Sequence, residues 1–183
     1  MLFGLYLAEG FWQRALFYVI PIIAFVLGIF IAELVKHKMK QQEKMHWRQV
    51  IIGVEILVLT AVAFIPQGSM DVLANVAISF VCAMQVEAFR KVHGQSYATT
   101  MCTGNLRSAT EQLFYYIKTK DKQARKNFGQ YMMIIGFFIF GAIVGALVTI
   151  PIGKISVLFC CMILVFVFIL MFVRTRKEGS YFL

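Results

Sequence analysis

Five apolar runs, each near the length of a bilayer-crossing helix and each ended by basic or turn-forming residues, constrain this chain more than any other feature. A transmembrane helix needs about 20 mainly apolar residues, because each adds about 1.5 Å towards a hydrocarbon core about 30 Å thick. The runs cover residues 15–35, 50–65, 72–86, 131–150 and 155–173. With 60% hydrophobic and 15% charged residues and a mean hydropathy of +0.77, the 183-residue chain is too apolar for a soluble domain. The expected fold class is all-α: a polytopic transmembrane helical bundle of about five spans. It forms one domain over residues 1–183 with the lipid bilayer as its partner.

The net charge of +9 does not indicate nucleic acid, because the basic residues cluster at the ends of apolar runs. There they report orientation. Lys36, Lys38, Lys40, Lys44 and Arg48 face a single acid, Glu43, which makes that loop cytoplasmic; residues 66–71 carry no Lys or Arg and suit the outer side. Arg90 and Lys91, then Lys118 to Lys126, mark two further cytoplasmic connections, and Arg174, Arg176 and Lys177 anchor a cytoplasmic tail over residues 174–183. Lys154 runs mildly against the rule. The expected placement is a bacterial inner membrane, N-terminus outside and C-terminus inside. Residues 94–117 then lie at the interface or dip in and return.

No Cys-x-x-Cys or Cys/His ligand spacing joins Cys82, Cys102, Cys160 and Cys161, so neither a disulfide framework nor a metal or cofactor is expected. His37, His46 and His93 lie in basic loops and read as solvated. The N-terminus lacks the basic start of a signal peptide, and the first run is long enough to stay as a span.

Polar residues enter apolar sequence most conspicuously between residues 75 and 111. On a helix Asn75, Ser79, Cys82 and Gln85 share one face, which should meet protein or water rather than lipid. That stripe serves equally well for bonding to neighbouring helices. Residues 97–101 are extended in character, and Thr103-Gly104-Asn105 looks like a helix start, capped by Asn105 or Ser108 with Ser108 to Glu111 at capping-box spacing. A helix N-terminus at membrane depth, with Arg107 in its first turn, suits an anion. Glu55 lies about one and a half turns inside the second run, and an acid there is costly unless neutralised, paired or facing water.

Gln85 to Lys91, then Gly94, Ala98-Thr99-Thr100 and Thr103 to Ser108, resemble the central signature of the YoaK family of bacterial multi-pass membrane proteins. The similarity extends over essentially the whole chain. It implies the membrane class and no activity. It also implies six spans with an opening Gly-Tyr-x-Asp-Ala helix that this sequence lacks.

An internal repeat points the same way. Phe25, Gly28, Leu34 and Val35 match Phe138, Gly141, Leu147 and Val148 at one offset, with Ala32 opposite Gly145, and the two spans run in opposite directions. Residues 1–66 would form an incomplete first repeat lacking its first helix, and residues 67–173 the second. Gly28 and Ala32, and Gly136, Gly141 and Gly145, are expected at close helix contacts and leave room for a homo-oligomer.

The leading functional expectation is a small secondary transporter or permease for a polar or anionic small molecule. Its substrate site would comprise Asn75, Ser79, Gln85, Thr99, Thr100, Thr103, Gly104, Asn105 and Arg107, with Glu55 and Glu87 in proton or cation coupling. The alternative is a non-transporting membrane interaction or scaffold protein, in which the stripe only fixes packing. An enzyme is not expected, because no Ser/His or Cys/His pairing or phosphate-binding glycine loop is present.

Overall fold

The computed structural model describes residues 2–39, 46–66, 68, 70–92, 95–96 and 102–179. Seven α-helices follow one another: α1 (Leu2–Ala8), α2 (Trp12–Met39), α3 (Trp47–Phe64), α4 (Asp71–Ala88), α5 (Cys102–Thr119), α6 (Lys122–Ile152) and α7 (Val157–Gly179). Between α4 and α5, β1 (Lys91–Val92) and β2 (Gln95–Ser96) pair antiparallel, Lys91 opposite Ser96 and Val92 opposite Gln95. The expected all-α architecture holds apart from this two-residue ladder.

Among the described residues, four helical stretches are long and apolar enough to cross a membrane: α2, α3, α4 and the 52-residue stretch Lys122–Val173. As one straight helix the last would run about 78 Å, more than twice a hydrocarbon core. Gly153 interrupts it with φ 65° and ψ −141°, its N–H returning to the Thr149 carbonyl, and a 3-10 turn, Gly153–Ser156, leads into α7. Pro151 sits inside the last turn of α6. The fourth stretch therefore holds two helices, each of spanning length.

The chain divides into two compact units, one of residues 1–88 with 154–183 and one of residues 89–153. In the first, α2 and α4 run parallel. Ala24, Gly28 and Ala32 recur every four residues as a small-residue stripe, all buried, against Val81, Ala83, Met84 and Ala88 of α4. Apolar helices in lipid gain little from hydrophobicity against each other, so close backbone approach has to hold them. α3 runs against both neighbours. Arg48 Nε at its start donates to the Ala88 carbonyl at the end of α4 (2.9 Å), and Lys154 Nζ, just before α7, donates to the Ile65 carbonyl at its end (2.9 Å). Each cation satisfies a carbonyl that a helix C-terminus leaves without an intrahelical donor. Pro21 lies within an unbroken α2.

In the second unit α5 and α6 form an antiparallel hairpin, turned at Lys120 and capped by Asp121, whose carboxylate accepts from the Gln123 and Ala124 N–H groups. Ala109 and Tyr131 are buried with Phe128 and Ile134 around them. Asn127 Nδ2 donates to Gln112 Oε1 across the hairpin (3.1 Å) and Gln123 Nε2 donates to Asn127 Oδ1 (2.9 Å). Gln112 of α5 thus faces α6, while Leu106, Phe114 and Ile117 stay exposed beside Arg107, Glu111 and Lys118.

Gly136, Gly141 and Gly145 depart from expectation. A Cβ built on any of them meets nothing within 4 Å, so they are not contact points among the described residues. Small-residue spacing permits close contact without supplying the partner.

At Gly28, by contrast, an added Cβ would press into the Phe80 carbonyl oxygen and lie 2.8 Å from Ala83 Cβ. Gly28→Val is expected to destabilise the protein by about 1–3 kcal/mol through overpacking. Gly53→Ala, with open space around it, should change stability by less than about 0.5 kcal/mol. Thermal unfolding of the two variants in detergent checks the contrast.

Candidate functional site

Glu55 lies near the middle of α3, 5% exposed, and its Oε2 has no hydrogen-bond partner. The thiols of Cys82 on α4 and Cys160 on α7 are within Coulombic reach of it. One turn further on, Thr60 Oγ1 donates to the Ile56 carbonyl (2.7 Å) and lies 3.7 Å from Cys161 Sγ. A carboxyl held at mid-span without a cation has to take its compensation from a proton, an ion or water.

Glu87 is also buried, but near the end of α4, where Lys36 Nζ approaches to 3.9 Å while holding Glu33 at 2.7 Å. Trp47 lies between two cations, Lys36 Nζ 5.7 Å and Arg48 Cζ 5.4 Å from its ring centroid. This joins the end of α2, the start of α3 and the end of α4 through charge and ring faces.

The stripe on α4 is less buried than the residues that pack on its neighbours. Val81, Met84, Glu87 and Ala88 are buried; Asn75 is exposed, and Ser79, Cys82 and Gln85 are half-buried. Asn75 lines a half-open cavity of about 270 Å³, with Tyr6 of α1, Arg14, Phe17, Tyr18 and Pro21 of α2, and Val72 of α4.

α5 begins at Cys102, earlier than the expected caps, and this corrects the capping reading. Asn105 is buried inside the helix, Ser108 and Glu111 lie well past its start, and Arg107 sits in the second turn rather than the first, exposed like Thr103 and Gly104. Capping-box spacing also arises by chance within a helix, where backbone donors are already taken. Thr99 and Thr100, with the rest of the extended segment, lie outside the described residues. Asn75, Ser79 and Gln85 belong to one unit and Thr103 to Arg107 to the other.

The sequence alone did not single out Arg14 and Tyr18 at the cavity, beside the interfacial aromatic Tyr6, or Gln112 and Asn127 in the hairpin. The signal for the first group was a cation in the first turn of an apolar run that opens on aromatics. For the second it was a pair of amides 15 residues apart across a turn. Among the described residues, no group of three or more His, Cys, Asp or Glu side chains gathers to hold a metal ion.

The model of the family DUF1275, described as a protein of unknown function, matches residues 1–170. No curated protein and no solved structure matches the chain.

His46 caps α3: its Nδ1 accepts from the Arg48 N–H (3.3 Å) while its own N–H donates to Gln49 Oε1 (3.0 Å). Burial first, then the Arg48 charge, lowers its pKa from 6.5. Above that value the imidazole is neutral whether the chain is folded or not. As pH falls below 6.5 the unfolded chain binds the proton first, so stability declines until the lower folded value is passed. Melting temperatures in detergent should therefore drop between about pH 7.5 and about pH 5.5. His46→Asn, which keeps a capping acceptor, should remove that part of the dependence.

Proposed function

The chain belongs to the DUF1275 family, whose description assigns no activity, and on that premise we propose that it is a small secondary transporter for a polar or anionic solute, with Glu55 as its coupling group. One observation carries the reading: a carboxyl in the middle of a spanning helix, buried, with one oxygen left without a partner. A charged or polar group at that depth is expensive, and uptake and release of a proton or cation during a transport cycle is one established use of such a group. Glu87, which shares Lys36 with Glu33, is assigned to holding α2 against α4 instead.

The proposed setting is a bacterial inner membrane, N-terminus outside, from the distribution of Lys and Arg. The inverted repeat over residues 1–66 and 67–173 is part of the same proposal. Movement of one repeat against the other would expose Glu55 alternately to the two sides. The reading involves no catalysis. Of the expected solute contacts, Asn75, Ser79 and Gln85 share a unit with Glu55 and are the ones this reading retains.

Glu55→Gln keeps the side chain's shape and cannot exchange a proton. In proteoliposomes carrying a pH-sensitive dye and screened with small organic anions, the wild type should move protons with solute. Glu55→Gln should lose at least about 90% of that flux at unchanged abundance and melting temperature, a loss of over about 1.4 kcal/mol in barrier terms. A variant with full flux would refute the coupling role. A variant that only falls in abundance would favour the interaction-protein reading.

A further inference from the structure

The cavity beside Arg14 is used neither by Glu55 nor by the packing of α2 on α4. We propose that it binds a net-anionic phosphate ester, either an anionic phospholipid headgroup or a free phosphate ester. Arg14 would be its ionic partner, Asn75 and the tyrosine hydroxyls its hydrogen-bond donors.

Among the described residues lining the cavity Arg14 alone is charged, so no acid among them opposes an anion or receives the ammonium of a zwitterionic headgroup. Its guanidinium carbon sits 5.2 Å over the Phe11 ring centroid, which fixes the plane of the group and leaves its N–H edge for an oxyanion. No carboxylate pairs with it among the described residues. Tyr6 and Tyr18 stack at 5.6 Å and 20°, making a preformed wall with two phenol groups, and Asn75 adds an exposed amide from α4.

Depth supports the same chemistry. Arg14 is the third residue of α2, next to exposed Trp12 and Phe11, at the level where aromatic side chains meet the headgroup region. The volume of about 270 Å³ lies just below the range of drug-sized pockets, enough for a phosphate with its glycerol and too little for a folded partner.

The proposal does not depend on transport, and its test reads binding alone. Full-length protein in neutral detergent is titrated with dioleoylphosphatidylglycerol, dioleoylphosphatidylcholine and glycerol 3-phosphate, with bound molecules counted by native mass spectrometry. The expected result is one phosphatidylglycerol held at least about tenfold more tightly than phosphatidylcholine, weakened at least about tenfold by Arg14→Gln and partly restored by Arg14→Lys. Arg125→Gln, which removes the same charge from an exposed position of α6 in the other unit, should leave it unchanged. Glycerol 3-phosphate binding with the same dependence on Arg14, and no preference among lipids, would identify a free ester as the ligand. Asn75→Leu gives a second reading from the opposite wall, should Arg14→Gln fail to fold. Equal binding of both lipids with no glycerol 3-phosphate binding, or equal weakening by Arg14→Gln and Arg125→Gln, would overturn the proposal.

Discussion

The first unit depends on one close approach, where Gly28 of α2 meets the backbone of α4 at Phe80 and Ala83. Two parallel helices that touch at a glycine diverge from that point. At one end, two turns away, Lys36 reaches Glu87 and the helices are tied by charge. At the other, Tyr18 lies ten residues from Gly28, about 15 Å along the helix, and the space there is filled by aromatic rings and the cavity rather than by helix–helix contact. The ion pair and the cavity are thus two results of the same crossing. A bulkier residue at position 28 would alter both together.

Helix ends impose the second constraint. A carbonyl left without a donor near the membrane costs free energy, and here two are answered from other helices, Ala88 by Arg48 and Ile65 by Lys154. This gives Lys154 a structural occupation, which explains a cation at an end of the bundle where the charge distribution along the chain expects none. The same economy is visible at Trp47, whose ring lies against two cations that already serve as hydrogen-bond or ion-pair partners.

Much of this architecture is legible in the chain. Run length locates the long apolar helices, and the one-turn spacing of Gly28 and Ala32 identifies a contact that the structure uses. The identical logic fails at Gly136, Gly141 and Gly145, because spacing describes one helix and a contact needs two. The candidate site was half legible for a similar reason. Period gives the angular position of Asn75, Ser79 and Gln85 on α4, but not that the helix buries other positions more deeply. Glu55 stood out as an acid in an apolar run; its burial depends on residues brought in from α4 and α7. Arg14 was masked by the ordinary meaning of a cation at a helix end.

The first unit is discontinuous in sequence, with the second inserted between Ala88 and Lys154. Lys154 follows Ile65 by 89 residues, a delay of about 4–18 s at a synthesis rate of about 5–20 residues per second. Through that interval α3 is already made while α7, which closes over its Thr60 side, is not. The nascent chain therefore carries a mid-span acid and a helix end without their final neighbours until the hairpin of α5 and α6 has been delivered. Biogenesis of such a protein is ordered by its own topology.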